Sequence, residues 1–156
     1  MGFFIGCGAI LKQGDGYVLV QEVRAAKKHL YNLPAGTLEP HEDLQECLLR
    51  EIYEETGVSA QLEHFVGMYQ TVLADGNNIL FFVFAGSAPE DVQLASSEHK
   101  NIATYSFEQI QALDAAGKLR APSVLKSISD YRAGQAYSLA AIQAVRYDKL
   151  ASITVV

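Results

Sequence analysis

The sequence has no tryptophan, four prolines and only two cysteines among its 156 residues. Cys7 and Cys47 stand isolated, with no CxxC pair and no metal-ligand spacing, which excludes a disulfide scaffold and leaves zinc chemistry unsupported. Both fall in apolar patterns, so buried free thiols in a reducing compartment are expected. His29, His41, His64 and His99 are also scattered without ligand spacing and read as surface or packing residues. The longest apolar run after the N-terminus, 79–86, is too short to span a bilayer. The opening Met-Gly-Phe-Phe-Ile-Gly-Cys lacks the positive region of a secretory signal, and Gly6 stands where a myristoylation motif needs Ser or Thr. A cytoplasmic protein with no membrane partner is expected. Positive charge is scarce too: 12 Lys and Arg against 18 Asp and Glu give a formal charge of −6. With no basic stripe to neutralise phosphates, a nucleic-acid polymer is not an expected partner. A local site for one small polyphosphate remains compatible with that balance.

What is present suits one domain over 1–156, long enough to bury roughly two-thirds of its unfolded surface. Runs at 3–12 and 17–23 are apolar and β-prone, and Gly14-Asp15-Gly16 between them signals a hairpin. A short strand is expected at 30–33, leading into the turn Pro34-Ala35-Gly36. Strands at 62–73 and 79–85 flank Asp75-Gly76-Asn77-Asn78, a second hairpin signal. Phe81-Phe82-Val83-Phe84 is continuous rather than alternating, which predicts a strand covered on both faces. Residues 87–99 read as a polar loop. A strand near 102–106, a helix over 107–116 and another over about 122–132 complete the chain. These elements imply an α/β (α+β) chain, a mixed sheet with helices on its faces.

Residues 43–57 carry the strongest local signal. Asp43 followed by Glu46 is a capping box, Leu44, Cys47, Leu48 and Ile52 recur at helical spacing, and Gly57 is a natural stop. Glu51, Glu54 and Glu55 then project from one face, in the last two turns, where the helix dipole prefers cations. At about 6 Å and an effective dielectric near 20, each pair repels by roughly 3 kcal/mol. Arg50, one turn before Glu54, offsets this by only about 0.3–0.5 kcal/mol if exposed. Local rules are broken this openly at functional sites. A hard cation with oxygen ligands would remove the repulsion, Mg²⁺ first among them. A solvated acidic face is the alternative reading of the same residues.

A resemblance decides between them. Gly36, Glu42 and then Arg50-Glu51-Ile52-Tyr53-Glu54-Glu55-Thr56-Gly57-Val58 resemble an unbroken Nudix box, with no fixed position substituted. The resemblance implies the Nudix α/β/α sandwich, with the box as a strand-loop-helix element. It also implies Mg²⁺, or Mn²⁺, assisting water attack on a phosphoanhydride. By position in the motif, Glu51, Glu54 and Glu55 are the implied metal ligands, joined by the carbonyl of Gly36. Glu42 and Arg50 match positions that orient loop and helix; for Arg50 a purely structural ion pair is the competing reading. Relatives often add a carboxylate from a later loop as ligand or general base, and Glu98, just before the strand near 102–106, fits best. A solvated loop acid is its bland alternative.

Residues outside the box bear on the substrate. Arg24 and Lys28 lie in a basic cluster before Gly36 and suit phosphate binding, or a solvated loop. Tyr31 stands where relatives often have Trp and either packs or stacks on a base. Leu33-Pro34-Ala35-Gly36, Ser59-Ala60-Gln61, Leu119-Arg120-Ala121-Pro122, Gly134-Gln135 and Tyr137 with Leu139 resemble the bacterial NudJ-type phosphatases. That group implies hydrolysis of nucleoside tri- and diphosphates, and of related pyrophosphates such as that of hydroxymethylpyrimidine, with release of phosphate. Arg120 is the residue of the shared segment that could reach substrate, or form an ion pair at a helix entry. A selective nucleotide-sanitising pyrophosphatase and a non-catalytic nucleotide sensor are the other readings. Monomer and homodimer are both open.

Overall fold

A computed structural model describes residues 2–22, 29–90, 95 and 101–146. In chain order the strands are β1 (Phe3–Gln13), β2 (Gly16–Gln21), β3 (Tyr31–Asn32) and β4 (Ala35–Thr37), then helix α1 (Leu44–Thr56). They are followed by β5 (Gln61–Val72), β6 (Asn78–Ser87), β7 (Ile102–Tyr105), α2 (Phe107–Ala115) and α3 (Pro122–Arg132). A 3-10 turn occupies Leu139–Ala141.

The described strands form one mixed sheet in the order β3-β2-β1-β6-β5, with β4 beside β1 and β7 beside β2. Gly14 takes a φ of 57° in the turn between β1 and β2, the left-handed conformation that glycine adopts without cost. Lys12 then faces Tyr17 across an antiparallel pair. The second hairpin joins β5 to β6, again antiparallel, with bulges between Leu62 and His64 and between Phe65 and Gly67. β1 and β6 run parallel, Phe3 opposite Asn78 and Lys12 opposite Ser87.

Alternation along β1 divides the core. Cys7, Ala9 and Leu11 turn to one face and pack with Phe84 against Cys47, Leu48 and Ile52 of α1. Ile10 turns to the other face, where Val83 and Ala85 meet Ile110 of α2 and Val124 and Ile128 of α3. Both faces of β6 are thus covered, as its unbroken apolar run predicts. Helices thus cover both faces of a mixed sheet, the α/β/α sandwich that the resemblance implies. The ends of the other strands and helices agree with the sequence-based expectations to within three residues, but Ala35 and Gly36, expected in a turn, lie in β4 because their backbone pairs with β1.

The segment after α3 covers part of the sheet edge formed by β5. Phe65 of β5 exchanges backbone hydrogen bonds with Tyr137 (3.0 and 2.8 Å), and Gln135 Nε2 donates to the Val66 carbonyl at 2.8 Å. Open strand edges invite foreign pairing, and these bonds occupy the β5 edge at Phe65 and Val66. Among the described residues no helix is long and apolar enough to cross a membrane.

Candidate metal and substrate site

α1 begins and ends as its sequence dictates. Asp43 Oδ1 accepts from the amides of Gln45 and Glu46, both at 2.9 Å, and Glu46 Oε2 accepts from the Asp43 amide at 2.9 Å. Gly57, at a φ of 72°, donates its amide to the Tyr53 carbonyl. Arg146 grips this start from the far end of the chain: Nη2 lies 2.7 Å from Glu46 Oε2, and Nη1 donates to the His41 carbonyl at 3.2 Å.

The helix is fastened to β4 by a steric interlock. Gly36 pairs with Cys7 across β1 and β4, and a Cβ placed on it would lie 1.9 Å from Cδ of Glu51. Glycine is required here for space, because any side chain would occupy the volume that the Glu51 carboxylate fills. One residue earlier, the Ala35 amide donates to Glu55 Oε2 at 2.8 Å. Two of the three box glutamates are therefore held against the strand that carries Gly36. Their exposures differ widely: Glu55 is 7 % exposed, whereas 46 % of the Glu54 side chain is open to solvent.

Arg50 ties the loop to the helix. Its Nε lies 2.6 Å and its Nη2 3.0 Å from the two oxygens of Glu42, a bidentate pair. Its Nη1 reaches Glu51 at 2.8 Å and Glu54 at 3.1 Å, and Glu39 stands 3.8 Å away. The exposed i,i+4 pair expected from sequence is thus one arm of a larger network centred on Arg50, whose own side chain is three-quarters buried. The Arg50 hydrogen bonds hold the Glu42 carboxyl at about 2, well below the usual carboxylate range, and Glu42 with Glu51 pushes the Arg50 guanidinium up.

The two cysteines are isolated only in sequence. The fold brings Cys7 Sγ within 3.2 Å of Cys47 Sγ, both fully buried between β1 and α1. The hydrogen bond to Cys47, followed by burial, pushes the Cys7 thiol far up. Both are free thiols, as expected.

A cavity of about 970 Å³ opens beside the interlock. Glu51 and Glu55 line it together with Gly36, and Phe4, Ile79 and Phe81 contribute apolar wall. Arg120, Ala121, Pro122 and Ser123 at the start of α3 line it as well. The sequence-derived candidates divide accordingly. Glu51, Glu55, Gly36 and Arg120 meet at the cavity, and Arg50 and Glu42 brace it. Tyr31 is not among the lining residues: its ring packs on Tyr105 at 5.5 Å, edge to face, and its backbone pairs with the segment before α3, donating to Lys118 and accepting from Arg120 at 2.8 Å each. Arg24, Lys28 and Glu98 lie outside the described residues. The bond from the Ala35 amide to Glu55 and the contacts of Arg146 carry no sequence signal, because they arise from packing.

The donor set suits a hard cation: carboxylates and a backbone carbonyl, all oxygen. Among the described residues no three acidic, histidine or cysteine side chains converge into a ready-made metal cluster, since Arg50 draws Glu51 and Glu54 toward itself. The space cleared by Gly36 is what allows Glu51 to stand beside that residue's backbone.

Residues 3–126 match the NUDIX domain. The chain belongs to the Nudix hydrolase family. Phosphatase NudJ of Escherichia coli strain K12 is 37 % identical over 131 residues, covering 84 % of this chain and 85 % of that protein. Phosphatase NudJ of Shigella flexneri matches to the same extent. Among solved structures, a NUDIX hydrolase from Nitrosomonas europaea superposes with a TM-score of 0.79 at 34 % identity, covering 91 % of this chain and 97 % of the other. The Nudix sandwich, the enzyme class and the NudJ-like character inferred from the box and its flanks agree with these relatives.

Proposed function

We propose that this Nudix hydrolase, acting as one domain over 1–156, removes the terminal phosphate from nucleoside tri- and diphosphates and related small pyrophosphates, with Mg²⁺ or Mn²⁺ as cofactor. The observation that carries the reading is the interlock of Gly36 with Glu51 at the wall of a cavity roomy enough for a nucleotide. The 37 % identity to Phosphatase NudJ of Escherichia coli supports phosphate release over other outcomes.

Glu51, Glu54 and Glu55, with the Gly36 carbonyl, are the groups that would hold the cation. When bound, it supplies positive charge that polarises phosphoryl oxygens and lowers the pKa of bound water. In the overall reaction the water oxygen bonds to phosphorus, the bridging P–O bond breaks and phosphate leaves. The proton passes to a carboxylate, either a box glutamate or Glu98. Arg50 and Glu42 keep the acidic helix and the preceding loop in register, and Arg120 meets substrate charge from the α3 side. Arg24 and Lys28 are further candidates for phosphate contact.

The test is a Mg²⁺-dependent panel of common nucleoside tri- and diphosphates, hydroxymethylpyrimidine pyrophosphate, ADP-ribose and a diadenosine polyphosphate, scoring phosphate and pyrophosphate separately. Phosphate from several tri- and diphosphates is the expected result. Pyrophosphate from a single nucleotide would make the enzyme a selective sanitiser.

A further inference from the structure

The turn between β4 and α1 holds a residue in a conformation that its type resists. Glu39, Pro40, His41 and Glu42 are closed into a turn by the Glu42 amide, which donates to the Glu39 carbonyl at 3.3 Å. Proline in the second place and a φ of 73° in the third are the type II pattern, which asks for glycine or asparagine where His41 stands. Backbone of this kind persists only where its surroundings over-determine it. His41 is exposed, so packing around its ring does not supply that hold.

Arg146 supplies it. Nη1 donates to the His41 carbonyl at 3.2 Å, while Nη2 lies 2.7 Å from Glu46 Oε2 and 4.0 Å from Asp43 Oδ2. One planar guanidinium thus bridges the turn and the cap of α1, a span that a point charge could not cover. The chain that delivers Arg146 is itself anchored: Tyr137 pairs with Phe65, and Leu139 packs against the core on the α1 side of the sheet. All of this lies beyond residue 126, where the match to the family domain ends. The turn matters to the site because Glu39 and Pro40 line the cavity and Glu42 is the bidentate partner of Arg50. Relaxation at His41 would move both.

We propose that Arg146 is a positioning residue: it holds His41 in the left-handed conformation, and through that turn it keeps Glu39 and Pro40 at the cavity wall and Glu42 on Arg50. The kinetic part of the proposal rests on the phosphohydrolase reading above. Arg146 is not among the residues lining the cavity, and 59 % of its side chain is exposed. Its effect is therefore local, since exposed ion pairs add little to global stability.

Glycine takes a positive φ without cost, so His41→Gly removes the need for the clasp. Hydrogen exchange of the backbone amides in 36–46, read by mass spectrometry on the metal-free protein without substrate, measures this directly. Arg146→Ala is expected to speed exchange there about 10-fold, the factor that strain at one residue can shift. Its melting temperature should stay within roughly 2 °C of the wild type. His41→Gly should exchange no faster than the wild type, and adding Arg146→Ala to it should change the rate less than about two-fold. In step with this, kcat/KM for ADP falls about 10-fold in Arg146→Ala and recovers in the double variant. Unchanged exchange in Arg146→Ala overturns the proposal, as does unchanged kcat/KM in an active enzyme. A double variant that exchanges as fast as Arg146→Ala also overturns it, because the effect would then run through Glu46 and the helix cap. Exchange is read without turnover, so the expected pattern in a protein that releases no phosphate would refute the hydrolase reading and leave the clasp standing.

Discussion

The backbone amide of Ala35 donates to Oε2 of Glu55 at 2.8 Å, so a carboxylate near the end of α1 is positioned by the strand next to Gly36. This bond helps to hold a nearly buried acid at the cavity wall. Glu55→Gln retains an oxygen able to accept from Ala35 and so preserves the fold. Turnover in that variant is expected to fall about 100-fold or more, given what loss of a general base costs, with the melting temperature nearly unchanged. Near-wild-type rates would remove Glu55 from the chemistry.

Gly36→Ala puts a methyl group 1.9 Å from Glu51 Cδ. Either the helix or the carboxylate must move. Overpacking of this kind costs about 1–3 kcal/mol, which lowers the melting temperature by roughly 3–10 °C. Activity should drop together with stability. A variant as stable and active as the parent would mean that Glu51 has room to spare.

Acid should release the Glu42–Arg50 pair in a defined window. The folded carboxyl of Glu42 sits at about 2, against an ordinary value of 4.5. A depressed value means that the ionised pair stabilises the fold fully above pH 4.5 and loses its contribution as pH falls toward 2. Thermal melts of the wild type from pH 7 to pH 2 should therefore decline more steeply below 4.5 than those of Glu42→Gln. Parallel curves would show that the pair contributes nothing to acid sensitivity.

The Cys7–Cys47 contact predicts thiol silence. The two sulfurs face each other at 3.2 Å with no exposure, and the Cys7 thiol is pushed up by its hydrogen bond to Cys47 and by burial. Buried thiols of this kind are inert, since the thiolate is the reactive form. A disulfide-exchange reagent at pH 8 should label neither cysteine in the native protein and both after denaturation. Labelling at the rate of an exposed thiol would contradict the packing between β1 and α1.

Much of this arrangement could be read in advance because it is local. Asp43, Glu46 and Gly57 announce the bounds of α1 through hydrogen bonds that span three or four residues, and Gly14 announces its hairpin through backbone conformation. The box residues are recognisable because spacing along one helix fixes their relative positions. What could not be read depends on distant parts of the chain meeting. Arg50 was legible as the partner of Glu54, one turn away, but its bidentate partner Glu42 reaches it only through the folded loop. The proximity of Cys7 to Cys47, the edge-to-face packing of Tyr31 on Tyr105 and the grip of Arg146 on the start of α1 are tertiary in the same sense. Gly6 and Gly8 were visible as glycines, but a Cβ on either would crowd the ring of Phe81 on another strand.

The parallel pairing of β1 with β6 bears on how the molecule is made. Its first tie, from the Gly2 amide to Asn77 Oδ1, joins groups 75 residues apart, and such closures are costly in chain entropy and slow to form. The box lies within that span. A chain leaving the ribosome can wind α1 early, since its caps are local, but β1 gains its parallel neighbour only after β6 has emerged. The acidic helix is therefore synthesised well before the sheet that restrains it is complete, and the juxtaposition of Glu51 and Glu55 with the Gly36 strand is a late product of folding.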